Sequence, residues 1–171
     1  MNKTSVFNRH DFINHLSTNM YEVLILKKSI SDVRLRKHHL SSKGIGDDLY
    51  YLTESYYRQS GLYKGKHSMS DFISIKAINA IEEKKIIGNL KFEHMVPKNY
   101  YIKQLSEKTL DNSMSPDFVQ EVLSKYYYVC TVTTEEDALL HATKMDVDWD
   151  GINPFLRYER AGIQYVENNE V

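Results

Sequence analysis

The sequence predicts an α+β fold dominated by helices, with several helices around a small sheet of two or three strands. Three observations carry that expectation. Apolar residues recur at helical spacing through most of the chain, and only two short segments, 90–96 and 126–132, are rich in β-forming residues. The chain has 171 residues, of which 42% are hydrophobic, so it can bury a sizeable core without disulfides or metal. The helices come mostly first, followed by strand, helix, helix, strand, helix, helix, an order that argues against a doubly wound parallel sheet.

Residues 11–28 read as an amphipathic helix in which Phe12, Leu16, Met20, Val23, Leu24 and Leu26 recur near helical spacing. Ser31 or Asp32 is placed to cap a second helix running to His39. Residues 41–48 hold Gly44 and Gly46 and read as a loop. No strand precedes this Gly-x-Gly, which makes it a weak phosphate signal. Residues 49–57 read as a tyrosine-rich helix and 61–67 as a basic loop. Ser68 or Ser70 then caps a helix over 71–85 with a stripe of Phe72, Ile73, Ile75, Ala77, Ile78 and Ile81, and Gly88 is placed to end it.

Residues 90–96 are extended, and Pro97 breaks them. A helix is expected over 99–107. Ser115 and Pro116 open another to Lys125, with proline at its first position. Residues 126–132 read as a strand. Thr133 or Thr134, followed by Glu135, Glu136 and Asp137, starts a helix with its acids on the positive end of the dipole. Pro154 begins a last short helix over 155–161, stopped by Gly162. One globular domain is expected over 1–166, with a flexible tail at 167–171. Its core is expected to use Phe72, Ile75, Ile78, Leu90, Phe92, Leu105, Val119, Leu123, Val129, Leu139 and Trp149.

The net charge of −1 gives no global field that would mark a nucleic-acid or membrane-surface protein. The single cysteine, Cys130, allows neither an internal disulfide nor a CxxC metal pair, which points to a reduced, cytoplasmic setting. No signal peptide or membrane span is visible in the sequence, so no membrane role is expected. Two local biases remain. Thirteen tyrosines suit either a tyrosine-rich core edge or a wet binding surface, for which Tyr56 and Tyr57 are the candidates. Residues 27–43 carry six Lys/Arg against one acid, whereas 129–171 carry nine acids against three bases.

Three stretches hold residues that can do chemistry. In Phe92-Glu93-His94-Met95-Val96-Pro97 a carboxylate sits beside a histidine at a strand end, before a proline and a helix. ββα-metal (HNH-type) nucleases present a catalytic pair this way: the carboxylate holds a divalent cation and the histidine activates water. His141 is the candidate third residue, with Asn112 and Asn153 as other ligands, and Mg²⁺ or Mn²⁺ the implied cofactor. Against this reading, neighbours on a strand point to opposite faces. Arg157 and Arg160 share a helix face and can take a phosphate or a partner's carboxylate, or Arg157 can pair with an acid of the chain itself. Arg34, Arg36 and Lys37, on a basic helix with two histidines, can contact phosphates or stay a solvated face.

Residues 89–163 resemble a family of small uncharacterised bacterial and phage proteins, remotely similar to HNH nucleases. The resemblance lies in Glu93-His94-Met95-Val96-Pro97, Val132-Thr133-Thr134-Glu135-Glu136, Lys144-Met145, Trp149, and the run from Asn153-Pro154 through Arg157-Tyr158 to Ala161-Gly162-Ile163. It covers under half the chain. Asn153 stands where the family has aspartate, Phe155 stands where it has tryptophan, and 140–143 looks shortened. The shortening puts a family catalytic activity in doubt for this chain.

No nucleotide-binding loop, Ser-His-Asp set or closed metal site stands out. The expectation is a non-catalytic, phage or mobile-element interaction protein without a cofactor. It would dock on a host nucleic-acid or defence complex, in the manner of an inhibitor of a CRISPR effector. The alternatives are an HNH-like nuclease using Glu93, His94 and His141, and a direct nucleic-acid binder.

Overall fold

The computed structural model describes residues 7–83 and 89–168. The fold is α+β and helix-dominated, with eight helices and a four-stranded mixed sheet among the described residues. The chain forms two compact units, one from residues 1–63 and 98–125, the other from 64–97 and 126–171.

The first unit is helical. α1 (Arg9–Lys28) is capped by Asn8, whose side chain accepts from the Asp11 amide at 3.2 Å. α2 (Val33–His39) is capped by Asp32, which accepts from the Leu35 amide at 2.8 Å. α3 (Ser42–Gln59) starts within the stretch read as a loop: Ser41 caps it through the Gly44 amide, and both glycines lie inside the helix. Packing explains the glycine. A Cβ on Gly44 would stand 2.5 Å from the His39 carbonyl oxygen, so only glycine lets the end of α2 come this close to α3. α5 (Lys98–Leu110) and α6 (Pro116–Tyr126) complete the bundle. Its core holds Phe12, Leu16, Met20 and Leu24 of α1, Ile45 and Leu49 of α3, Tyr101 and Leu105 of α5, and Val119 and Leu123 of α6. Buried Ser17 and Thr109 return their hydroxyls to carbonyls one turn back at 2.7 Å, so neither is left unsatisfied.

The second unit carries the sheet, β2-β3-β1-β4, from β1 (Phe72–Ser74), β2 (Leu90–His94), β3 (Val129–Thr133) and β4 (Tyr165–Glu167). β1 runs parallel to β3, and the other two pairings are antiparallel. This is more strand than the sequence suggested. The helical stripe from Phe72 does not begin as helix: Phe72, Ile73 and Ser74 pair with β3 on one side and β4 on the other. The helix, α4 (Ile75–Glu82), starts only after Ser74, which caps it through the Ala77 amide at 3.0 Å. Two ladders reward extended backbone more than three residues of helix would. The expected end of that helix, at Lys85 and Gly88, lies outside the described residues. β4 includes Glu167, the first residue of the expected tail.

β3 is an inner strand, between β2 and β1, and is buried throughout. The helix start expected at its end is present, with Thr133 and Glu136 forming a capping box, but α7 (Thr134–Asp137) is one turn long. Glu136, 2% exposed, accepts from the Thr133 amide at 3.1 Å and from the Ser74 hydroxyl at 2.5 Å, so one buried carboxylate ties the ends of β3 and β1. α8 (Leu156–Arg160) ends at Gly162, whose φ of 67° supplies the left-handed turn. Met95, Cys130, Val132, Leu140, Tyr158 and Ile163 form a core cluster on this sheet.

Several expected core residues lie elsewhere. Leu105, Val119, Leu123 and Val129 are buried, but Leu139 and Ile75 are exposed. Phe72, Ile78, Leu90, Phe92 and Trp149 are half-buried. Leu139 faces out because α7 stops at Asp137 and the stripe carries no further. Trp149 lies in a loop, with its ring 6.0 Å from that of Tyr126 and its indole N–H on the Asn153 carbonyl at 2.7 Å.

The Tyr158 hydroxyl is buried without a hydrogen-bond partner among the described residues. Removing a buried, unpaired hydroxyl removes a desolvation cost. Tyr158→Phe is therefore expected to leave urea-unfolding stability unchanged or raise it by up to about 1 kcal/mol. A loss larger than that would reveal a partner for the hydroxyl.

Candidate functional site

Of the residues singled out from sequence, Glu93, His94 and His141 meet Arg157 at the C-terminal end of β2, the two histidines through their backbone carbonyls, and the others lie apart from it. Tyr158 and Arg157 are the two buried positions of α8, so the helix docks with its arginine facing the core. Arg157 is 5% exposed, and its guanidinium has four acceptors. Its Nε donates to the Met95 carbonyl at 2.8 Å, Nη1 to the His141 carbonyl at 2.7 Å, and Nη2 to Glu93 Oε1 at 2.5 Å; Nη2 also donates to the His94 carbonyl. A planar fork with five N–H groups suits such a set, and a lysine does not.

Strand geometry separates the expected catalytic pair. Glu93 is the register partner of Cys130, on the face that carries the core cluster, and its carboxylate pairs with Arg157. His94 is the register partner of Val129 and turns to the other face. There its ring lies 5.7 Å from Tyr127 and 6.3 Å from Phe92. His141 joins the node through its backbone carbonyl, and the residue itself is exposed. Asn153 donates to Glu159 at 3.1 Å and accepts from the Phe155 amide at 2.9 Å. Asn112 belongs to the other unit, in a turn with φ 65°. Among the described residues no group of three His, Cys, Asp or Glu side chains is placed to hold a metal ion. Burial pushes the Cys130 thiol up, away from thiolate reactivity, and does the same to the Tyr158 hydroxyl.

Arg160 does not share the Arg157 pocket. It lies on the solvent side of α8 and grips Asp148 with two bonds of 2.6 and 2.5 Å, holding that carboxyl below the usual range. Tyr57 is buried in an aromatic cluster with Phe7 and Phe12, and Tyr56 packs on Phe12 and His15. These two tyrosines therefore join α1 to α3.

The basic segment is different. α2 has no buried residue. Arg36 donates to the Ile30 carbonyl at 3.1 Å, but exposed Arg34 and Lys37 have no hydrogen bond or ion pair with any described residue. Lys27 is held inward by Asp48 and by the carbonyls of His39 and Gly44, and so clamps α1 to the end of α2 and the start of α3. Sequence reasoning missed the apolar part of this corner: Leu26, Val33 and Leu35 are 68%, 65% and 48% exposed. The alternation of Val33 and Leu35 with Arg34 and Arg36 was the available signal, since a seven-residue helix cannot bury residues on all sides.

Comparison of the chain with known protein families, curated proteins and solved structures finds no match.

The four acceptors of Arg157 test its role. Arg157→Lys keeps the charge but loses the fork, and is expected to cost roughly 2–4 kcal/mol in urea unfolding, because carbonyls and Glu93 lose buried partners. A cost below about 0.5 kcal/mol, typical of surface substitutions, would show the node to be ornamental.

Proposed function

We propose that this chain is a non-catalytic interaction protein, of phage or mobile-element type, that docks in the cytoplasm on a host nucleic-acid or defence complex such as a CRISPR effector. The observation that carries the non-catalytic reading is the engagement of Glu93 by Arg157. A metal-dependent nuclease needs that carboxylate for a cation, and here it serves a buried guanidinium whose other bonds hold the backbone. His94 turns to the opposite face of the strand from Glu93, an arrangement that disfavours their joint action on one water. The docking part of the reading is supported by α2, where unpaired cations and apolar side chains stand in solvent together. Among the described residues no helix is long and apolar enough to cross a membrane.

The test is a plasmid-nicking assay with Mg²⁺ and with Mn²⁺, comparing the wild type with His94→Ala. The expected result is no cleavage above the buffer control for either protein, together with a lower melting temperature for His94→Ala from lost packing on Tyr127. Metal-dependent nicking that disappears in His94→Ala at an unchanged melting temperature would overturn the proposal in favour of the HNH-like nuclease.

A further inference from the structure

A polar cluster ties the end of β4 to the 3-10 turn Lys66–Met69, which precedes β1. The side-chain amide of Asn168 donates to the carbonyls of His67 and Ser70 at 2.9 and 3.0 Å and to the Ser70 hydroxyl at 3.1 Å. Ser70 shares a hydrogen bond of 2.9 Å with the Thr131 hydroxyl of β3, and Thr131 shares one of 3.3 Å with Nδ1 of the His67 ring. Thr131 and Ser70 are buried, and His67 is half-buried. β4 depends on such a closure: it is an edge strand of three residues, paired with β1 alone among the described residues.

The cluster has nothing to balance a charge on His67. Its hydrogen bonds come from two hydroxyls, an amide and backbone carbonyls, and His67 has no ion pair with any described residue. The charged and titratable groups of the surrounding elements do not supply one. Lys66 precedes His67 on the turn, and its charge opposes a second. Asp71, before β1, accepts from the Val129 amide at 2.9 Å. Glu167 of β4 is the register partner of Phe72, which pairs with Cys130 and so lies on the other face of the sheet from Thr131. The buried Cys130 thiol on that face stays protonated. His94 shares the Thr131 face, two positions along β2 from Phe92, the register partner of Thr131, and its protonation adds only positive charge. Burial, and then Lys66, hold the His67 ring below the ordinary histidine range.

We propose that His67 is an acid-sensitive latch: neutral, it closes the end of β4 on the turn through Thr131, Ser70 and Asn168, and its protonation opens β4 from β1. A histidine that resists its proton in the closed form takes it more readily once β4 has opened. The stability contributed by neutral His67 is complete above about pH 6.5 and is lost as the pH falls from there through the closed-form value. An open-form histidine is about nine-tenths protonated at pH 5.5, which limits the gain in opening to about tenfold.

The test follows amide hydrogen exchange of the whole chain, corrected for its intrinsic pH dependence, at about pH 7.5 and about pH 5.5. β4 is compared with α1, which belongs to the other unit. The opening constant of β4 is expected to rise between about twofold and tenfold at the lower pH, with α1 unchanged. His67→Gln should show the same β4 opening at both pH values, and Asn168→Ala should raise it at both. A further measurement needs no variant: the His67 ring of the wild type, followed by NMR, should titrate below about 6.5. Equal β4 opening at the two pH values in the wild type overturns the proposal. So does an acid rise of the same size in α1, an acid rise retained in His67→Gln, no added opening in Asn168→Ala, or a His67 midpoint at or above 6.5.

Discussion

A buried guanidinium has to be matched, and Arg157 sets the terms for the second unit. Taking such a charge out of water costs several kcal/mol, and good geometry with filled acceptors is what offsets it. Here the acceptors are drawn from three places: the end of β2, the segment that follows it, and the loop after α7. The ion pair thus fixes where β2 stops and where the 138–155 loop returns. A backbone carbonyl offers the same bond whatever its side chain, so His94, Met95 and His141 are held by position and not by residue type.

The same economy appears at Glu136. One buried carboxylate serves the cap of α7 and the hydroxyl of Ser74, which in turn caps α4. Two strand ends and two helix starts therefore share one hydrogen-bond chain. Both nodes use acids that a search for catalytic groups would select, and both spend them on structure.

Local signals were legible in the sequence because they act locally. The Asp32 cap, the Ser115–Pro116 helix start, the capping box from Thr133 to Glu136 and the Gly162 stop each depend on residues within one turn. What the sequence hid depends on distant partners. Gly44 looked like a loop residue because its need is contact with His39, on the preceding helix, rather than an unusual φ. Phe72 to Ser74 looked helical because the stripe of Ile75, Ile78 and Ile81 runs on in phase, and the pairing that overrides it comes from β3 and β4. Glu93 and Arg157 were each recognised as important, yet a separation of 64 positions concealed that they belong to one interaction. Leu26 was read into the apolar stripe of α1 because an apolar residue in a helical pattern is assigned to the core by default, yet it is exposed.

The account stands or falls on whether Glu93 and Arg157 act as one structural unit. A double-mutant cycle with Glu93→Gln, Arg157→Met and the pair, followed by urea unfolding, measures this without reference to any partner. The account predicts strong coupling: each single substitution should be costly and the double one much less than their sum, with an interaction energy of about 2 kcal/mol or more. Costs that add to within about 0.5 kcal/mol would contradict it, and would return Glu93 to the pool of groups available for chemistry.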